Sequence, residues 1–202
     1  MRSSTPTILL IAALVTTSAP LPAAARGFVE ANGYVSIEAD HYSGAVGGWR
    51  VIPHIGRTGN GVTPVPVAAP SQVPGGGSPR LEYTMTLTTS GPVTVTAYLS
   101  PRNNVLPTEG LRYAVSIDGE APQVVNVTAA TGANDTTMNR QWERNTSDNV
   151  NRTTTTHTVD RPGVHTLKLW MVDPTVVVQK LVVATAPLPY SYFGPPESVR
   201  VR

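Results

Sequence analysis

Two carboxylates spaced two residues apart, in Ile37-Glu38-Ala39-Asp40, are a first candidate for chemistry in this chain. On a strand that spacing places both side chains on one side. Calcium gathers about six to eight oxygen ligands, and Glu38 with Asp40 supply part of such a shell. A solvated or hydrogen-bonded acidic strand edge uses the same two residues without an ion. Aromatic rings form a second group: Trp49, Trp142, Tyr42, Tyr98 and Trp170. The apolar C–H face of a pyranose stacks on an exposed ring beside polar groups, which makes Trp49, Trp142 and Tyr42 candidate carbohydrate-binding residues. Trp142 lies in a polar stretch, where it either pins that stretch to the domain or meets a ligand. Trp170 lies inside an alternating segment and reads as structural. The planar guanidinium of Arg matches a carboxylate bidentately. Arg50, Arg57 and Arg112 therefore enter as partners for an acidic sugar, with Arg57 the chosen candidate, although each is also an ordinary ion-pair residue.

Catalysis by this chain finds no such support. Thirteen acids make some carboxylate pair inevitable, and glycoside hydrolysis needs a defined separation between two of them. His41, His54, His157 and His165 lack helical metal spacing, and no Gly-x-Ser-x-Gly elbow is present. The residues predict no enzyme and no required cofactor, with a structural calcium at Glu38 and Asp40 as the one ion to test.

The elements that must position these groups are strands. In Leu81-Glu82-Tyr83-Thr84-Met85-Thr86-Leu87, apolar and polar residues alternate, so one face meets a core and the other water. Gly91-Pro92 marks a turn, and Val93 to Leu99 reads as the neighbouring strand. Leu111 to Ile117 and Gln123 to Thr128 flank Asp118-Gly119-Glu120 and predict a hairpin. Val164 to Met171 breaks at Val172-Asp173-Pro174 and resumes as Val176 to Val183, predicting another antiparallel pair. Gly59 to Pro79 is rich in Pro, Gly, Val and Ala and is expected to be an irregular loop. Ala129 to Arg152 lacks strand periodicity, with a turn or two of helix expected at Asn139 to Arg144. Short Val- and Thr-rich strands at this spacing predict an all-β antiparallel sandwich.

Residues 1–25 read as a secretory signal peptide: Arg2 leads a short apolar run from Ile8 to Val15, and Ala23-Ala24-Ala25 supplies a cleavage site. The run is shorter than the roughly 20 residues that span a bilayer, so no membrane partner is expected. Removal of that segment leaves 26–202 as one domain, about 177 residues, large enough to bury a core. With no cysteine, packing rather than disulfides must stabilise this secreted chain. A net charge of +2 without a Lys/Arg cluster suggests no nucleic-acid partner. Sequons begin at Asn126, Asn134, Asn145 and Asn151 and predict a glycoprotein in a host that glycosylates.

Longer stretches carry a family resemblance. Phe28 to Tyr42, Trp49, Ile52 to Gly59, Pro79 to Tyr83, Thr94 to Pro101, Leu111 to Ser116, Val164 to Val183 and Tyr192 to Ser198 together resemble the C-terminal domain of glycoside hydrolase family 115, the xylan α-glucuronidases. The resemblance implies a non-catalytic sandwich of the jelly-roll, carbohydrate-binding-module type. In that family it follows an α/β barrel that removes 4-O-methylglucuronic acid from xylan, and nothing in these 202 residues resembles the barrel. Related sugar-binding sandwiches hold calcium with a Glu-Ala-Glu element and an Asp on the last strand, where Gln179 stands here. The expected partners are a plant cell-wall polysaccharide such as glucuronoxylan or, as the alternative, a glycoside hydrolase chain on which this module assembles. The chain also fits a fragment of such an enzyme.

Overall fold

A computed structural model describes residues 24–129 and 135–202. Among these, thirteen strands and one helix form two facing sheets. The first sheet holds β1 (Gly27–Val29), β3 (Gly44–Val46), β6 (Arg80–Leu87), β8 (Arg112–Ile117), β9 (Gln123–Asn126), β11 (Gly163–Met171) and β13 (Arg200–Val201), in the order β13-β1-β6-β11-β8-β9 with β3 also against β6. The second holds β2 (Tyr34–Glu38), β4 (Trp49–Ile52), β5 (Gly61–Pro64), β7 (Gly91–Leu99), β10 (Asn151–Val159) and β12 (Val178–Ala184), in the order β10-β7-β12-β5-β4 with β2 also against β12. Pairing is antiparallel except between β1 and β6. The expected all-β, jelly-roll-like sandwich is the observed fold.

The period-two alternation places the core. Leu81, Tyr83, Met85 and Leu87 of β6 face Val93, Val95, Ala97 and Leu99 of β7 across the sandwich, joined by Leu167, Leu169, Leu181 and Val183. Tyr83 is wholly buried, and its hydroxyl donates to the Ala39 carbonyl at 2.8 Å, so the phenol's polar end is satisfied inside the core. Trp170 is buried as expected, its Nε1 donating to Ser116 Oγ at 2.9 Å.

Two expected strand pairings are not made. β6 and β7 lie in opposite sheets, and so do β11 and β12. In each case the short connection arches over the end of the sandwich instead of closing a hairpin. Both ends of such an arch bury one alternating face, so the local pattern is the same for either connection. The hairpin of β8 and β9 does form, with Arg112 opposite Asn126. The loop expected over Gly59 to Pro79 contains β5, buried along its length between β12 and β4. The short helix expected around Trp142 extends over α1 (Asp135–Ser147). β10 is a full strand whose alternation sequence reading missed: Thr153 and Thr155 point inward and Thr154 and Thr156 outward, one residue type serving both faces.

After β12 the chain crosses the outer face of the second sheet as an extended strap, 185–199, before β13 joins the first sheet. Strap and sheet enclose a small second core of Tyr98, Val150 and Val182 with Tyr34 and Leu188. Close approach depends on Gly194, whose φ is +72° and where a Cβ would lie 2.9 Å from the Tyr98 hydroxyl. Only glycine takes that conformation cheaply in that space.

Candidate functional site

Between the strap and β10 an open groove of about 630 Å³ runs along the outer face of the second sheet. Its floor comes from residues that β7, β10 and β12 turn away from the core: Thr94, Thr96, Tyr98, Arg152, Thr154 and Val182. Its far wall is the Pro-rich strap, Ala186 to Ser191, carrying Tyr190. Antiparallel register brings Arg152 opposite Tyr98 and Thr154 opposite Thr96, whose hydroxyls lie 3.4 Å apart. Tyr190 is 69% exposed, and its ring stacks on the Arg152 guanidinium at 4.7 Å. The groove thus combines an accessible aromatic face, a ladder of hydroxyls and a cation.

The strap is clasped at its far end. Lys180 Nζ, 3% exposed as a side chain, lies 3.1 Å from Glu38 Oε1 and donates to the Phe193 and Pro195 carbonyls at 3.3 Å each. Glu197 accepts from the Glu38 backbone N–H at 2.9 Å and meets His41 Nδ1 at 2.8 Å. Burial alone would lower the His41 pKa, but the Glu197 hydrogen bond holds it above the usual histidine value. Ser198 and Ser36 complete the attachment through reciprocal bonds.

This clasp decides how Glu38 and Asp40 stand as calcium ligands. Glu38 Oε1 is taken by the Lys180 ammonium and by the Thr58 hydroxyl at 2.6 Å. Asp40 Oδ2 accepts from Asn60 Nδ2 at 2.7 Å. Gln179, near the comparable third position, accepts from the Arg57 N–H and donates to Ser100 Oγ and the Asn149 carbonyl. Glu38 Oε2 is buried without a partner, yet one orphan oxygen is far from the shell calcium needs. Among the described residues no three His, Asp or Glu side chains gather around a possible ion position. An ammonium at 3.1 Å repels a divalent ion, so these residues do not fit calcium.

The other candidates from sequence do not line the groove. Trp49 is half-buried against the main core, and its Nε1 donates to the Val46 carbonyl at 2.9 Å. Tyr42 packs against the same core. Trp142 is half-buried on α1, where its carbonyl accepts from Thr146 Oγ1. Arg57 is 4% exposed as a side chain, with Tyr192 of the strap stacked 3.6 Å from its Cζ and Asp148 at 4.0 Å. Its nitrogens Nε, Nη1 and Nη2 are buried without hydrogen bonds. Arg57 thus sits beneath the strap rather than facing solvent. Arg112 pairs bidentately with the buried Asp173, Nε to Oδ2 at 2.8 Å and Nη2 to Oδ1 at 3.1 Å. Sequence reasoning missed Arg152 and Tyr190, because their meeting depends on the strap folding back over β10. Among the sequon asparagines, Asn145 and Asn151 are buried, Asn126 is half-buried and Asn134 lies outside the described residues.

A depression at one end of the sandwich holds Asp118, Glu120, Asp160 and His165. Asp118 pairs with His165 at 2.7 Å and Glu120 with His157. Asp118 and Glu120 are thus spent on tying the β8–β9 turn to β10 and β11.

Two facing, largely antiparallel sheets around one core define the class of protein as an all-β sandwich. The chain belongs to the glycosyl hydrolase family 115 C-terminal domain family, whose model matches residues 27–197. Its fold is similar to that of a family 115 4-O-methyl-α-glucuronidase with specificity for decorated arabinogalactans, at a TM-score of 0.59 and 16% identity over 85% of this chain. That match spans 19% of the enzyme's length. It is also similar to the C-terminal CBM6 of a marine laminarinase from Zobellia galactanivorans (TM-score 0.49, 15% identity, 75% of this chain and 98% of that one). A family 35 carbohydrate binding module from Clostridium thermocellum gives a TM-score of 0.49 at 11% identity, covering 74% of this chain and 97% of that one. No curated protein matches the chain.

Proposed function

We propose that this chain is an exported, non-catalytic accessory module that binds plant cell-wall polysaccharide, glucuronoxylan in particular, along the groove between β10 and the strap. The observation that carries the reading is the exposed Tyr190 ring set beside the Thr94, Thr96 and Thr154 hydroxyls. A sugar presents the matching surfaces, an apolar ring face and a rim of hydroxyls. A shallow site of this kind binds at about 10 µM to 1 mM. On immobilised glucuronoxylan the wild-type chain is retarded and releases no methylglucuronic acid. Tyr190→Ala weakens retention about tenfold, the order expected when one stacked ring is removed, with an unchanged melting temperature. Trp142→Ala on the same column tests the alternative face: if retention follows Trp142 and not Tyr190, the binding site is on the α1 side. Release of methylglucuronic acid would make the chain an enzyme.

A second reading has its own support, since the family's domain forms 19% of a much longer enzyme in the solved neighbour. In this reading the module assembles on a glycoside hydrolase chain. Co-elution with a family 115 catalytic chain, together with no retention on any polysaccharide, would put this reading first.

Export is supported by the N-terminal pattern, and Arg26 is tied to the domain. The Arg26 backbone N–H donates to Thr86 Oγ1 at 2.8 Å, and that hydroxyl donates back to the Arg26 carbonyl at 2.8 Å. Cleavage after Ala25 keeps both bonds, so the secreted protein is expected to begin at Arg26. N-terminal sequencing of protein from the medium checks this, and an intact Met1 in a membrane pellet would refute it.

A further inference from the structure

We infer that Arg152 reads a carboxylate in the groove, so that the ligand is an acidic sugar chain bearing uronic-acid units. The inference rests on the carbohydrate reading of the same groove. The other half-buried or buried Arg and Lys side chains each have a partner: Arg57 has Asp148, Arg80 has Glu82, Arg112 has Asp173 and Lys180 has Glu38, each within 4.0 Å, and Lys168 donates to the Asp118 carbonyl. Arg152 is half-buried too, and among the described residues it makes no ion pair. Among the described residues no Asp or Glu lines its groove. Among the described residues two rings flank it: Cζ lies 4.7 Å from the centroid of Tyr190 and 5.9 Å from that of Tyr98. Ring faces hold a guanidinium by its flat side and accept nothing from its N–H edge. The two rings therefore orient the fork while leaving its donors free.

A planar fork of free donors matches a planar carboxylate through two parallel, charge-assisted bonds. The Thr96 and Thr154 hydroxyls stand one ladder step along β7 and β10 from Arg152, within reach of the ring hydroxyls of the same sugar. A neutral chain engages the hydroxyls and Tyr190 but leaves this cation unanswered in a partly desolvated groove. An acidic chain answers it.

The probe is glucuronoxylan before and after chemical reduction of its carboxyl groups, which turns each uronic acid into a neutral sugar on the same backbone. In affinity electrophoresis the wild-type chain is expected to bind the native polymer about tenfold more tightly than the reduced one. Arg152→Met lowers native binding to the level that the same variant shows for the reduced polymer. Arg152→Lys keeps the charge without the fork and retains part of the preference. Raising salt shrinks the wild-type ratio toward one. Equal wild-type affinity for both polymers would overturn the inference, as would an Arg152→Met variant that keeps the preference. Either result leaves the carbohydrate reading standing so long as Tyr190→Ala still weakens retention. Failure to bind either polymer removes that reading and this inference together.

Discussion

Asp173→Ala is expected to cost the folded domain about 3–5 kcal/mol, because it empties the most completely satisfied ionic site in the sandwich. The Asp173 side chain has no solvent exposure. It accepts from Arg112 Nε and Nη2, from the Arg112 backbone N–H at 2.9 Å and from Ser71 Oγ at 2.5 Å. Truncation leaves Arg112 Nε and Nη2, an amide and a hydroxyl without their acceptor, while Nη1 keeps Glu109 at 3.2 Å. The Arg112 side chain is 23% exposed, so water recovers part of the loss and the lower end of the range applies. In a domain of this size about 3 kcal/mol lowers the melting temperature by roughly 10 °C. Burial by itself would raise the Asp173 carboxyl, but the Arg112 and Ser71 hydrogen bonds hold it below the usual carboxylate range. A depressed folded pKa gives stability that is present above the unfolded value, near 4, and is lost as pH falls through the folded value. Burial and hydrogen bonding oppose each other the same way at Glu30, where Thr185, Thr88 and Thr89 prevail and lower it. Wild-type stability should therefore decline below about pH 4, and Asp173→Asn should show a shallower decline. Denaturant titration across pH measures both. A change under 1 kcal/mol for Asp173→Ala would refute the account.

Lys180→Met should be comparably damaging, with a functional consequence that Asp173 lacks. The variant leaves Glu38 as a nearly buried carboxylate without its cation, and it removes the donor that holds the Phe193 and Pro195 carbonyls. Breaking such a pair costs about 3–5 kcal/mol, mostly from the stranded charge. The strap then loses an anchor, and with it the wall that carries Tyr190, so retention on glucuronoxylan should fall as well. Glu38→Gln combined with Lys180→Met removes both charges and should recover most of the stability, a non-additivity that a double-mutant cycle reads directly. Because Lys180 already supplies the positive charge, chelator and millimolar calcium should both leave the wild-type melting temperature unchanged. A chelator-induced drop reversed by calcium would restore the ion to Glu38 and Asp40.

The strands of the core were legible because alternation is a local property. Leu81, Tyr83, Met85 and Leu87 fall on one face of β6 whatever the strand pairs with. The same holds for Val93, Val95 and Ala97 on β7, and for Leu167 and Leu169 on β11. Partnership is not local. The turns after β6 and β11 serve a hairpin or an arch equally well, and packing of two sheets on one core chose the arch. β10 escaped notice because Thr occupies both its faces, so composition shows no period although burial does.

The site was less legible for the same reason. Family membership could be read from the chain, and so could the kind of residue that the proposed site uses, aromatic rings with an arginine. Which arginine and which ring could not. Arg57, Arg112 and Arg152 are chemically identical; the fold buries the first beneath Tyr192, pairs the second with Asp173, and leaves the third open in a groove. Tyr190 meets Arg152 only because Gly194 and the Lys180 clasp lay the strap across the second sheet. A sequence fixes the chemistry each side chain brings and the face of the strand it occupies. Whether its charge is neutralised, buried or left for a ligand depends on contacts between segments far apart in the chain, and the tertiary structure alone decides those.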